Sequence, residues 1–171
     1  ENNSTLFITE GAFDAMLLDQ AGACVLSAFG GDFGSNWNQV ISIAKDFKKV
    51  ILAYDNDEAG QKALNKAISL FKQTDLKIRV PRLSGGKDPD EIIKNLGRDK
   101  FKGMLEGATN DIEFELLSAS ERYNISTTQG KIDYLGEAIR ILSPVSPIEQ
   151  DLYVTRLSNE LGVDKASIMR Q

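Results

Sequence analysis

Asp55 and Asp57 stand one residue apart, directly after the apolar run Val50-Ile51-Leu52-Ala53-Tyr54, and a helical pattern begins at Glu58. A buried strand ending this way delivers both carboxylates to one rim of a sheet, and ligands of open α/β sheets gather outside the carboxyl ends of the strands. Two negative charges held so close raise each other's pKa unless a cation neutralises them. Mg²⁺, with Mn²⁺ as a substitute, is the natural cation. It takes hard oxygen ligands from one or two carboxylates and keeps its other positions for water and phosphate. The plainer alternative is that Asp57 only caps the helix at Glu58, a task Asp performs well.

Two further acidic clusters favour a site. Leu6-Phe7-Ile8-Thr9 reads as a strand ending at Glu10-Gly11, with Asp14 four residues after Glu10. Lys77-Ile78-Arg79-Val80 reads as another, followed by a loop to Gly86 and then Lys87-Asp88-Pro89-Asp90-Glu91. Asp14 has a structural alternative, complementing a helix dipole. Asp88 has another, as a cap before Pro89 with Glu91 completing a capping box. Glu10 beside Gly11 has no cap to make. Three acid-bearing strand ends point to convergence.

The elements that must position these acids alternate strand and helix. A helix over 12–21 places Phe13, Met16, Leu17 and Ala21 at helical spacing. A strand over 23–29 leads into Gly30-Gly31, and Ser35 or Asn36 caps a helix reaching Phe47 that buries Trp37, Val40, Ile41 and Ala44. The helix after Asp57 buries Ala59, Ala63, Leu64, Ala67, Ile68 and Phe71, and the next strand covers 77–82. Such βα alternation predicts an α/β fold, a parallel sheet with helices on both faces and right-handed crossovers.

After residue 88 strand signals stop, and short helices are expected over 88–96 and 99–106, with a boundary at Gly107. A small all-α subdomain follows. Asp111 caps a helix carrying Ile112, Leu116 and Leu117, and residues 128–142 carry Ile132, Leu135, Ile139 and Leu142. Ser146-Pro147-Ile148-Glu149 holds a cap, a first-turn proline and a capping-box glutamate in register. Its helix is expected to bury Ile148, Leu152, Leu157 and Leu161 and to stop at Gly162; Asp164 opens a last short helix that packs on it. The expected domains are therefore 1–107 and 108–171.

Composition narrows the chemistry. The 171 residues carry 25 acids and 20 bases, a formal charge of −5. Without Glu10, Asp14, Asp55, Asp57, Asp88 and Asp90, the remaining 19 acids nearly match the bases, so the acidity belongs largely to the candidate site. No strong basic face of the kind nucleic-acid binding favours is visible. The absence of histidine removes Ser-His-Asp catalysis and His-ligated zinc, and the lone Cys24 in an apolar stretch reads as a buried structural thiol. No run approaches the ~20 apolar residues of a membrane span, so a cytoplasmic setting is expected. The start at Glu1, almost directly on a strand, reads as a piece of something longer.

With these blocks placed, the chain resembles a Toprim domain, the α/β metal-binding module of primases, topoisomerases and some nucleases. Glu10-Gly11-Ala12-Phe13-Asp14-Ala15, the run from Ala53 through Asp57 to Ala63, Lys87-Asp88-Pro89-Asp90-Glu91, Phe101-Lys102-Gly103-Met104-Leu105 and the run from Pro147 to Val154 resemble bacterial replicative DNA primases in particular. The resemblance implies catalytic acids at Glu10, Asp55 and Asp57, metal ligation by these three and Asp90, and a supporting acidic ring of Asp14 and Asp88. Lys87 is the candidate nucleotide contact, against the plainer reading of a solvated loop lysine. The implied activity is template-directed RNA primer synthesis from nucleoside triphosphates on single-stranded DNA, with two metals bridged by Asp55 and Glu10 acting as ligand or proton acceptor. The family's Gly-Thr after the second strand is replaced here by Gly30-Gly31. Its zinc module, its basic half and its helicase-binding tail have no counterpart in the sequence. The replicative helicase is therefore expected to bind through a region absent from this chain, which would be the Toprim half and helical end of the core, inactive alone. The alternatives are a Toprim nuclease or a non-catalytic Mg²⁺-binding scaffold.

Overall fold

The computed structural model describes residues 5–20, 23–28 and 33–170, without the side chains of Phe13 and Gln20. Expectations for Ala21, for the Gly30-Gly31 loop and for the Phe13 side chain lie outside the described residues. The chain divides into two compact units, Glu1–Asp111 and Ile112–Gln171.

The first unit holds a five-stranded sheet in the order β2-β1-β3-β4-β5. Its strands are β1 Thr5–Thr9, β2 Cys24–Ser27, β3 Lys49–Ala53, β4 Ile78–Val80 and β5 Thr109–Asn110. The first four are mutually parallel, as βα alternation requires, but β5 pairs antiparallel with β4, so the sheet is mixed. Strand signals thus do not stop at residue 88. A two-residue strand has no alternation to read, and it carries the sheet unit past Gly107 to Asp111.

Helices cover both faces. Phe7 lies in register with Val25 and Ile51, and on this side Phe7, Val25 and Ala53 pack with Leu18 of α1 (Ala12–Gln20), Ile92 of α4 (Pro89–Leu96) and the buried face of α5 (Arg98–Glu106). Leu6, Ile8, Val50 and Leu52 point the other way and are fully buried. Right-handed crossovers put α2 (Trp37–Ala44) and α3 (Glu58–Phe71) over them. Trp37 and Phe71 join these two helices edge to face, 6.2 Å between centroids. Trp37 is thus the expected core anchor.

Local differences have local causes. A 3₁₀ turn, Gly34–Asn36, enters α2, and no side chain caps either element; α2 itself ends at Ala44. Ala59 is exposed and Gly60 buried in its place. Cys24 is only half-buried, because β2 is an edge strand.

The second unit is helical: α6 Asp111–Arg122, whose first residue belongs to the sheet unit, then α7 Thr128–Leu142, α8 Pro147–Leu161 and α9 Lys165–Met169. Leu116, Ala119, Tyr134, Ala138, Leu157 and Ile168 lie in one core, so α9 packs on α8 as expected. Ser146 caps α8, accepting from the Glu149 N–H at 3.4 Å and donating to its Oε2 at 2.6 Å, while Asp164 caps α9. Two expected core positions are instead exposed, Ile148 at 77% and Leu152 at 66%. The buried face of α8 is Val154, Leu157 and Leu161. Leu152 and Leu157 are five residues apart and fall ~140° away from each other at 3.6 residues per turn. Ile132 is likewise exposed, because the buried face of α7 centres on Tyr134, Ala138 and Leu142. Among the described residues no helix is long and apolar enough to cross a membrane.

Candidate functional site

The sheet order makes β1 and β3 neighbours, with Thr9 opposite Ala53. Glu10 and the segment 54–57 therefore leave the sheet at one rim. The Asn56 N–H donates to the Lys87 carbonyl at 2.7 Å, which docks the third acidic segment against the second. The three acid-bearing strand ends are brought together.

Two of the acids also act as helix caps. Asp57 Oδ1 accepts from the Gly60 N–H at 2.8 Å, and Asp88 Oδ1 accepts from the Glu91 N–H at 2.7 Å with Pro89 in the first turn. Glu91 Oε2 reaches one residue beyond the usual capping box and accepts from the Lys87 N–H at 2.9 Å. A cap uses one carboxylate oxygen, so capping and a site role are compatible at both positions. Gly60 is demanded by close approach, since a Cβ there would lie 2.3 Å from the Asp55 carbonyl oxygen.

Asp14 is the most buried of the acids, 5% exposed. Gly11 makes room for it: a Cβ at residue 11 would lie 2.5 Å from Asp14 Oδ2. Burial, then the charges of Asp55, Asp88 and Asp90, push the Asp14 carboxyl up to about 7. Burial and the charges of Glu10, Asp88 and Asp57 push Asp55 up to about 6, with Lys87 opposing them. Glu10 is raised by burial and by Asp57. Asp55 thus feels Glu10, Asp88 and Asp57, and its own charge acts on Asp14.

A cavity of about 560 Å³ is lined by Asp14, Asp55, Asp88 and Asp90 and by the apolar Met16 and Leu17 of α1. Glu10 and Asp57 are not among its lining residues. Lys87 is exposed beside it, near enough to act on Asp55. Met16 was expected in a helix core stripe and is instead 57% exposed. Its i, i+4 spacing to Gln20 rather than to an apolar residue was the available signal.

The residues fit a divalent cation. Glu10 Oε2 and Asp55 Oδ1 are buried without a hydrogen-bond partner, an expensive state for carboxylate oxygens that a cation would relieve. All donors are hard oxygens. Among the described residues no three Asp, Glu, Cys or His side chains come close enough to cage an ion. That suits an ion held by one or two carboxylates and completed by water or phosphate.

The family model described as Toprim-like matches residues 7–93, which contain all of these acids. The chain belongs to the Toprim-like family. A second model, described as the DnaB-helicase binding domain of primase, matches residues 112–166. Among curated relatives, this Toprim-like chain is 27% identical over 165 residues to the DNA primase of Clostridium acetobutylicum, covering 96% of this chain and 27% of that one. It is 31% identical over 129 residues to the DNA primase of Aquifex aeolicus, covering 75% and 26%. Among solved structures it is similar to a DnaG primase catalytic domain bound to single-stranded DNA, with a TM-score of 0.70, 25% identity and coverage of 98% and 54%. It is also similar to the E. coli primase catalytic core, with a TM-score of 0.67, 26% identity and coverage of 96% and 53%. The chain spans about a quarter of the length of these curated relatives and about half of these solved chains. The match at 112–166 also bears on the helicase expectation: a stretch described as helicase-binding lies inside this chain, not beyond it.

Proposed function

We propose that this chain is the Toprim-bearing part of a DNA primase catalytic core, acting in template-directed synthesis of RNA primers. The observation that carries the reading is the meeting of three acid-bearing strand ends around Asp55, in a chain that aligns along nearly its whole length with primase catalytic cores. Its substrates would be nucleoside triphosphates and a single-stranded DNA template. The chain alone is expected to be inactive, because its 20 bases do not outnumber its 25 acids and a template groove needs an excess of positive charge.

Glu10, Asp55, Asp57 and Asp90 would supply the carboxylates for Mg²⁺ or Mn²⁺, one or two of them to any one ion. A divalent cation there would neutralise charge on the reacting phosphate and align the attacking and leaving oxygens. Asp55 contributes an unpartnered Oδ1 at the centre of the acidic field, and Asp57 retains the oxygen its cap does not use. Glu10 Oε2, unpartnered and held in a field that raises its pKa, serves either as ligand or as acceptor of the 3′-hydroxyl proton. Asp14 and Asp88 shape the acidic ring. Lys87, whose main chain is pinned by Asn56 and Glu91, would present its ammonium to the triphosphate.

A second reading concerns the helical unit. The match at 112–166 supports a helicase contact through this unit, while the solved catalytic cores that cover the same residues support a role as the core's helical end. Both roles are open to one unit, and co-purification of the helicase with residues 112–171 of the full-length parent deleted or intact separates them.

The reaction is tested in the full-length parent by primer synthesis on single-stranded DNA, run beside a cleavage assay on the same DNA. Metal-dependent synthesis that fails in Glu10→Gln supports the reading. Glu10-dependent cutting without primers would replace it with a nuclease. Metal binding without either activity would leave a scaffold.

A further inference from the structure

We propose that Met16, with Leu17 beside it, is the surface on which the nucleoside part of the incoming nucleotide packs. This deepens the primase reading and rests on it. The turn of α1 that follows Glu10-Gly11 sends its side chains three ways. Leu18 enters the core of the sheet unit, Asp14 is buried in the cavity wall, and Met16 stands 57% exposed on that wall. An exposed methionine is ordinary by itself. This one shares a cavity with four carboxylates, and the cavity's ~560 Å³ falls within the range of small-molecule sites.

The two kinds of lining suit the two halves of a nucleotide. Carboxylates reach a triphosphate only through cations, and to a nucleoside they offer acceptors for its hydroxyls and amines but no surface for the face of its base. An apolar wall beside them does. A thioether is unbranched, polarisable and favourable against aromatic faces, so it packs on purine and pyrimidine alike. A template-directed polymerase needs that indifference, because the template and not the protein must choose the base.

The test titrates this chain, at fixed Mn²⁺, with ATP, GTP, CTP and UTP and with inorganic triphosphate, which lacks the nucleoside. Met16→Ala is expected to weaken all four nucleotides by about threefold to tenfold and to leave inorganic triphosphate unchanged. Met16→Leu, which keeps the apolar surface but not the sulfur, should restore part of the loss. Circular dichroism melting of each variant checks that the fold is retained. A Met16→Ala effect equal on nucleotides and inorganic triphosphate, or absent from both, overturns the inference. So does a wild type that binds all five ligands equally, though the acidic site then stands. A wild type that binds none of them overturns the acidic site itself, and the role of Met16 with it.

Discussion

The helical unit and the acidic rim of the sheet unit handle charge in opposite ways. In the helical unit, Arg156 meets Glu113 and Glu160, Arg122 meets Glu137, and Lys165 meets Asp151. Thr127, Ser146 and Asp164 cap its helices, and even the buried Tyr134 hydroxyl donates to the Leu116 carbonyl. At the rim, Glu10, Asp14 and Asp55 are all raised by burial and by one another's neighbours, and two carboxylate oxygens are buried without partners. Natural chains break local consistency at functional sites and compensate elsewhere. The contrast supports placing the proposed chemistry at the rim and not in the helical unit.

The largest expected effect breaks the contrast on its chemical side. In the full-length parent, Glu10→Gln and Asp55→Asn should each lower primer synthesis by at least about a hundredfold, the scale of losing a dominant electrostatic element. Folding and single-stranded DNA binding should be nearly unchanged. Glu137→Gln removes the same charge from the helical unit and should leave synthesis close to the wild-type rate. Equal damage from all three would dissolve the distinction.

The next effect is on stability and has a definite sign. Asp14 and Asp55 have folded-state pKa values raised to about 7 and about 6, so the folded state holds their protons more tightly than the unfolded state. Their penalty is absent below the ordinary carboxylate range and grows as pH rises toward 7. Urea unfolding without metal should show stability falling between pH 4 and pH 7, by up to about 4 kcal/mol for Asp14 alone. Asp14→Asn should flatten the profile and be more stable than wild type at pH 8. A wild-type profile already flat over that range would remove the electrostatic strain from the rim.

How much of this was legible in the sequence follows the range of the interactions involved. The α8 cap at Ser146 was readable because cap, proline and glutamate act within one turn. The Asp55–Asp57 rim was readable because a strand end and a helix start fix it locally. The raised pKa of Asp14 was not, since it depends on Gly11 leaving space and on the charges of Asp88 and Asp90 arriving at the start of α4, some 75 residues away in sequence. The two residues of β5 were too short to carry a period. Met16 was misplaced because α1 serves both a core and a cavity, and its apolar residues therefore do not share one face.

Asp57 is where the two ways of handling charge meet, and its variants sharpen the comparison at a smaller scale. Asp57→Ala removes both cap and charge and should cost about 1 kcal/mol of stability. Asp57→Asn keeps an oxygen to accept from Gly60 and should cost little. Both should weaken Mn²⁺ binding measured by calorimetry, and Asp55→Asn combined with Asp57→Asn should abolish it with the fold intact. If Asp57→Asn binds Mn²⁺ like wild type, Asp57 is a cap and nothing more.

The smallest effect is the near-silence expected of one of two apolar pairs in α8, Ile148 with Leu152 against Leu157 with Leu161, that sequence spacing treats as one stripe. Leu157 is fully buried, while Ile148 and Leu152 are 77% and 66% exposed. Truncating a buried leucine removes its transfer free energy and leaves a cavity, so Leu157→Ala should cost about 2–5 kcal/mol. Ile148→Ser and Leu152→Ser remove side chains that already face water. Each should change stability by no more than about 0.5 kcal/mol, with Mn²⁺ binding unaffected. Urea melts of the three variants decide it. A loss of more than 2 kcal/mol from either serine variant would mean that α8 buries the face its spacing suggested and that the helical core is centred on residues other than Val154, Leu157 and Leu161.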